Sequence, residues 1–205
     1  MLQVLLKTSV YLDDEDLKNK TIETIETLNT KLHPKIIHCY ENEEIETFLE
    51  DYVYYALLMI TLYEVNADKK ALEKSIKIMN DTWELFFNKE TQLFQKNIIK
   101  DNDLFASPLD LNDSNIPNGN SVYLLISNKL YSITNDKIWS ERNEILKKSF
   151  HQVLNSYYSQ MFSFIKTLDI CDNSLSFTFS GTSHSIKEIQ LLSLIHISEP
   201  TRPVL

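Results

Sequence analysis

Two short motifs hold the residues best suited to chemistry in this chain. The first is Leu49-Glu50-Asp51-Tyr52. The adjacent carboxylates of Glu50 and Asp51, with the Tyr52 hydroxyl beside them, could act as acid and base or hold sugar hydroxyls. The same acids in a first helical turn would also suit the helix dipole and cap free N–H groups, so a structural role stays open. The second motif runs from Asp113 to Ser121, Asp-Ser-Asn-Ile-Pro-Asn-Gly-Asn-Ser. Gly119 is one of only two glycines, so Asn118-Gly119 reads as a tight turn, with Asn120 or Ser121 capping the helix that follows. Asp113, Asn118, Gly119, Asn120 and Ser121 also make a cluster of short polar groups suited to a polar ligand. Asp113 and Asn120 are the expected hydroxyl binders.

The elements that must position these motifs are written in a repeat. Tyr is followed five positions later by Asp at Tyr11–Asp16, Tyr63–Asp68 and Tyr131–Asp136. Each copy is preceded by an apolar pair at matching offsets: Leu5-Leu6, Leu57-Leu58 and Leu125-Ile126. A helix ending near the Tyr, a short polar turn and an Asp capping the next helix would explain the spacing. The second helices show apolar periodicity near 3.6: Ile22, Ile25, Leu28, Leu32; Leu72, Ile76, Met79, Trp83; and Ile138, Ile145, Leu146, Phe150. Residues 49–63 are apolar almost all round, as in a helix buried on most sides, whereas Lys69, Lys70, Glu73, Lys74 and Lys77 mark an outward face. Inner helices alternating with outer ones predict a mainly all-α fold, part of an α/α toroid of helical hairpins; an open helical solenoid is the competing shape. A fourth inner helix is expected at Ser156–Asp169, and a short strand at Ser174–Ser180.

The connections are uneven. Those after the inner helices are short, while Pro34–Thr47 and the stretch from about Lys89 to Asn118 are long. Long loops in compact domains are more often functional. Both precede inner helices, so they share one rim, and a pocket is expected there.

Both motifs carry a family resemblance. Leu49-Glu50-Asp51-Tyr52-Val53 is similar to Leu-Asp-Asp-Tyr-Ala in the C-terminal helical domain of thioredoxin-domain proteins of the spermatogenesis-associated type. Asp113, Pro117, Gly119, Asn120, Ser121 and Val122 match that family's Asp-Gly-Ala-x-Pro-x-Gly-Asn-Ser-Val, with Ser114-Asn115 in place of the small Gly-Ala and Glu50 in place of the first Asp. The resemblance runs from Met1 to about Gln190. It implies a toroid related to N-acylglucosamine 2-epimerases and six-hairpin glycosidases, and a sugar or small polyol as ligand. Glu50 and Asp51 would be the acid–base pair, with Tyr52, Asp113, Asn118, Gly119, Asn120 and Ser121 binding ligand. It also implies an upstream thioredoxin-like domain in the full-length protein. The alternative is a non-catalytic helical scaffold that presents a substrate to that redox module.

The same comparison reads the chain as a fragment. Residues 1–172 would be part of the toroid, and 173–191 the start of a truncated strand–helix module. Met1 would be an internal methionine. Leu192–Arg202 spells the translation of a transposase-based sequencing adapter, so 192–205 is expected to be a non-native tail and takes no part in the fold reasoning.

Composition fits a helical domain: 205 residues with two glycines and five prolines leave little for a loop-rich or β-rich fold. A net charge of −9 and no basic stripe argue against nucleic acid as a partner. No apolar run approaches about 18 residues, so no membrane span is expected, and no signal peptide is recognisable. Cys39 and Cys171 lack metal or redox spacing and read as reduced cytoplasmic thiols. His33, His38, Cys39 and Glu41 are close in sequence, but match no zinc pattern and are interrupted by Pro34. The aromatics Trp83, Phe86, Phe87, Phe94 and Phe105 read as packing rather than a sugar platform. No Gly-rich phosphate loop or nucleophile elbow is present, so neither metal nor cofactor is expected.

Overall fold

The computed structural model describes residues 1–32, 35–39, 41, 46–98, 109 and 111–173. Among them are seven α-helices: α1 (Leu2–Tyr11), α2 (Glu15–Lys31), α3 (Leu49–Asn66), α4 (Lys69–Phe86), α5 (Gly119–Thr134), α6 (Lys137–Tyr157) and α7 (Phe162–Asn173). One small hairpin, β1 (Phe87–Asn88) with β2 (Leu93–Phe94), follows α4. The expected strand at 174–180, and the segments assigned to a further module and an adapter-derived tail, lie outside the described residues.

The helices form two layers. In the first, α1 packs on α3, α3 on α5 and α5 on α7; in the second, α2, α4 and α6 each pack on their own hairpin partner. Helix α3 is the centre of this array. It touches α1, α4 and α5, which is why its sequence is apolar all round and why Val53, Ala56, Met59 and Ile60 are fully buried. Each large aliphatic side chain so buried contributes about 1.5–3 kcal/mol. Helix α4 instead buries a single stripe, Ala71, Ser75, Ile78, Met79, Thr82 and Phe86, at helical spacing. The hydroxyls on that stripe cost little, because Ser75 Oγ donates to the Ala56 carbonyl of α3 (3.0 Å) and Thr82 Oγ1 to the Ile78 carbonyl (2.7 Å).

The Tyr-to-Asp repeat has a backbone cause in its second and third copies. There the residue after the helix takes positive φ, Ala67 at 54° and Asn135 at 54°, and its N–H returns to the Tyr63 or Tyr131 carbonyl at 2.8 Å. The next residue is the Asp that caps the following helix: Asp68 accepts from the Lys70 N–H (2.9 Å) and Asp136 from the Ile138 N–H (3.1 Å). The first copy departs from this. Helix α1 ends earlier, Asp13 takes the positive φ, and Asp14 rather than Asp16 is the cap, accepting from the Leu17 N–H (2.9 Å). Asp16 pairs with Lys20 in the first turn of α2 instead (2.6 Å).

Two further expectations need correction. Helix α6 runs to Tyr157 and is closed by a 3-10 turn at Tyr158–Gln160, so the helix expected from Ser156 begins instead at Phe162, as α7. The buried face of α6 is also rotated. Ile138 is 39% exposed, while Trp139, Arg142, Asn143, Leu146, Ser149 and Phe150 face inward. The apolar periodicity missed this because polar groups occupy the seam. Arg142 lies over the rings of Trp83 and Trp139 (4.8 and 5.1 Å) and donates to Asn80 (2.8 Å) and the Tyr123 hydroxyl (3.2 Å). Asn143 accepts from Ser127 of α5.

The short hairpin lay within what read as a long loop. Asn88 Oδ1 accepts from the N–H groups of Glu90 (2.8 Å) and Thr91 (3.1 Å), and Gln92 supplies the positive-φ residue, φ 55°. That Asx turn closes the four-residue connection. The chain then runs across the start of α3, where the Lys96 carbonyl accepts from the Leu49 N–H (2.9 Å). The two long connections are thereby joined at the N-terminal end of α3.

Candidate functional site

An open cleft of about 750 Å³ lies at this rim. Leu2, Leu28, Leu32, Ile36 and Leu58 supply apolar wall, and Glu50, Asp51, His38, Tyr54 and Lys96 supply the polar groups. The cleft therefore contains both acids of the first motif, on the side where the loop lengths pointed.

Asp51 has two tasks. Its Oδ2 accepts from the Phe48 N–H (2.8 Å), reaching back over the first turn to satisfy a backbone donor that α3 leaves free. The same carboxylate meets His38 Nδ1, 3.0 Å from each oxygen. The His38 ring is held edge-on to Phe48, centroids 4.8 Å apart, and Lys96 lies over the other partner of that contact, 5.5 Å from the Phe48 ring centre. Glu50 lines the cleft and has no hydrogen-bond or ion-pair partner among the described residues. The arrangement is a carboxylate–imidazole pair fixed by a helix terminus beside a second carboxylate open to the cleft. A group of this kind can exchange a proton with a bound hydroxyl.

Tyr52 is not part of it. It is buried against Phe86, ring centroids 5.2 Å apart, and does not line the cleft. Burial raises its pKa, with Asp81 and Asp51 adding to the effect. The reason is helical geometry: at about 100° per residue, Tyr52 is turned roughly 200° from Glu50, whereas Tyr54 lies one turn on and shares its face. Tyr54 lines the cleft and donates to the Pro117 carbonyl (2.8 Å), tying the rim of α3 to the second motif. Sequence spacing alone could have selected Tyr54 over Tyr52. No sequence signal paired His38 with Asp51, which stand thirteen positions apart in the chain.

The polar residues of the second motif are brought together, but at the starts of α5 and α7 rather than in the cleft, which Ile116 of the motif lines. Asn118, not Asn120 or Ser121, is the cap of α5, accepting from the Ser121 N–H and hydroxyl, both at 2.9 Å. Gly119 is the first helical residue and is buried. Asp113 links two helices. It accepts from the Asn118 N–H (3.0 Å) and side-chain amide (2.9 Å) at α5, and from the Ser163 N–H (2.7 Å) and hydroxyl at α7. Burial by itself pushes the Asp113 carboxyl up, but the Ser163 and Asn118 donors together outweigh it and hold the pKa below the ordinary value. Asn120 is completely buried. Its Oδ1 accepts from the Phe94 N–H (2.9 Å) and its Nδ2 donates to the Phe94 carbonyl (3.0 Å), so the side-chain amide pairs with the free edge of β2 as a neighbouring strand would. The functional groups of this motif are used inside the fold.

Among the described residues no group of three or more His, Cys, Asp or Glu is placed to hold a metal ion, and no helix is long and apolar enough to cross a membrane. His33, one of the residues weighed for metal binding, lies outside the described residues. Fold and site together define a helical-hairpin protein with an open cleft that holds two carboxylates, an imidazole and Lys96. No protein-family model matches the chain, and no curated protein matches it.

Proposed function

We propose that this chain is part of an α/α toroid, related to six-hairpin carbohydrate-active enzymes, whose rim cleft binds a sugar or small polyol for acid–base chemistry. Glu50 would exchange a proton with a ligand hydroxyl, and the Asp51–His38 pair would be its complement. The observation that carries this reading is that pair, locked at 3.0 Å in one cleft beside Glu50, whose side chain has no partner among the described residues. The layered hairpin array supports the toroid. The family resemblance supports an upstream thioredoxin-like domain as partner in the full-length protein.

The test separates chemistry from folding by using Glu50→Gln, because Glu50 makes no structural bond to a described residue, whereas Asp51 also caps α3. Saturation-transfer NMR with hexoses, N-acylhexosamines and polyols should show contact with the wild-type chain. Glu50→Gln should abolish turnover in the full-length protein without moving its thermal midpoint. Wild-type turnover by Glu50→Gln, or no contact with any member of the panel, would overturn the reading.

A second reading is favoured by the inward-turned second motif. Asp113, Asn118, Asn120 and Ser121 hold helix starts together, as a non-catalytic scaffold for the redox module would need. Under that reading Glu50→Gln changes nothing, and substitutions on the exposed rim weaken docking of the thioredoxin-like domain.

A further inference from the structure

Arg142 carries a buried charge that the rim cleft does not use. Its side chain joins α6 to α4 and α5 and is only 8% exposed. The guanidinium lies over the Trp83 and Trp139 rings, at 4.8 and 5.1 Å, and Nη1 donates to Asn80 Oδ1 (2.8 Å) and the Tyr123 hydroxyl (3.2 Å). All of these partners are neutral. No described carboxylate is within ion-pair range of Arg142. Nη1 is also the only guanidinium nitrogen with an acceptor among the described residues; Nε and Nη2 have none. Among the described residues no buried side-chain nitrogen or oxygen lacks a hydrogen-bond partner. The Nε–Nη2 edge is therefore the part of the group that opens to solvent.

Ring faces and neutral oxygens offset part of the cost of burying a cation, but they leave its charge uncompensated and one hydrogen-bonding edge unmet. Such an edge presents two parallel N–H groups, the arrangement that a carboxylate accepts bidentately. Here the edge is held before any ligand arrives. Asn80 and Tyr123 fix Nη1, and the Trp83 ring beside the guanidinium is itself stacked on Phe87, centroids 3.9 Å apart. Little side-chain freedom then remains to be lost on binding. We propose that the Nε–Nη2 edge of Arg142 binds a carboxylate group. The small exposed fraction of the side chain favours a flat, two-oxygen group over a tetrahedral anion. A small organic acid and an acidic side chain of a protein partner offer the same chemistry to this edge.

Indole fluorescence reads this site selectively, because Trp83 and Trp139 are the only tryptophans in the chain. The full chain is titrated with sodium acetate in place of sodium chloride at constant ionic strength, and separately with a blocked peptide bearing one aspartate and its asparagine analogue. Acetate should change the emission saturably. Tighter binding of the aspartate peptide than of acetate would mark a protein partner as the source, and weaker binding a small acid; either supports the site. Arg142→Lys keeps the charge but loses the fork, and should weaken acetate roughly tenfold. Asn80→Asp tests the same site without removing a packed side chain. Its carboxylate, placed where Asn80 Oδ1 stands 2.8 Å from Nη1, should neutralise Arg142 from within. It should weaken acetate by roughly tenfold or more and raise the urea midpoint. Emission that is the same in acetate and chloride, equal binding of the aspartate and asparagine peptides, or an Asn80→Asp variant that titrates as the wild type does would each overturn the site.

Discussion

Asn120 offers the sharpest test of how the second motif is used. Its amide satisfies both the N–H and the carbonyl of Phe94, at 2.9 and 3.0 Å, and both Asn120 and Phe94 are fully buried. Asn120→Ala strands one donor and one acceptor away from water. Each stranded group costs about 1–3 kcal/mol, so the variant should lose roughly 2–6 kcal/mol. With a urea slope of roughly 2 kcal/mol per molar, the midpoint should fall by about 1–3 M. Asn120→Asp is a finer probe. Its shape is unchanged and one oxygen still accepts from the Phe94 N–H, but the other now faces the Phe94 carbonyl as a buried charge. Protonation would restore the missing donor, so the carboxyl in this variant should be held above the ordinary aspartate range. Its stability deficit should then be largest at neutral pH and shrink as pH falls towards 4, because the folded state binds the proton more tightly than the unfolded chain. The assay is urea unfolding followed by circular dichroism at several pH values for wild type and both variants. A hydroxyl-binding Asn120 would show none of this. A midpoint for Asn120→Ala within roughly 0.3 M of wild type would refute the reasoning, as would a pH-independent deficit for Asn120→Asp.

Other outcomes follow from the same geometry. Asp113→Ala removes acceptors from two helix starts, each worth about 0.5–2 kcal/mol, and should cost roughly 1–4 kcal/mol in urea unfolding at pH 7. Because the folded Asp113 carboxyl is held below its ordinary value of 3.8, that contribution should be full above this pH. It should fade as pH drops below it, so the gap between wild type and variant narrows only in acid. Burial pushes the Tyr55 hydroxyl up to about 12. Folding should therefore lose on the order of 2–3 kcal/mol as pH rises from 10 to 12, and Tyr55→Phe should remove one late step from the tyrosinate absorbance titration. Ala67 holds φ 54° at the end of α3 without a glycine's freedom, so Ala67→Gly should raise stability by about 0.5–1 kcal/mol in thermal or urea unfolding. A loss on that substitution would mean that the turn is not held by backbone geometry.

What the sequence made legible was periodic and local. The hairpin repeat could be read because a turn needs the same residue types each time: a positive-φ residue whose N–H returns to the Tyr carbonyl, then an Asp to cap. It failed in the first copy, where two adjacent acids, Asp13 and Asp14, could fill both roles earlier than Asp16 does. The buried character of α3 was equally legible, since a helix touched on three sides has no room for a charged stripe. The face of α6 was not, because Arg142 is buried by the Trp83 ring and the Asn80 acceptor of α4 and the Tyr123 hydroxyl of α5 as well as by Trp139 of its own helix, and the contacts from α4 and α5 are ones that no pattern within α6 encodes.

The two chemical motifs diverge for a related reason. Short polar side chains before a helix serve equally well as caps or as ligand contacts, and composition cannot separate the two. Packing does. The segment of β2 that reaches the start of α5 leaves Phe94 with an unpaired edge in a dry interior, and only a side-chain amide at position 120 supplies both halves of the missing pair. Asp113 is likewise drawn inward by the Ser163 N–H and hydroxyl at the start of α7, fifty residues away. The first motif escapes this because α3 needs only one of its two acids. Asp51 satisfies the Phe48 N–H, and Glu50, one residue earlier and on the cleft side, stays available. Acidic pairs at helix starts thus divide their labour by helical phase. The residue to test for chemistry is the one that the helix terminus does not require, which makes Glu50 rather than Asp51 the decisive position.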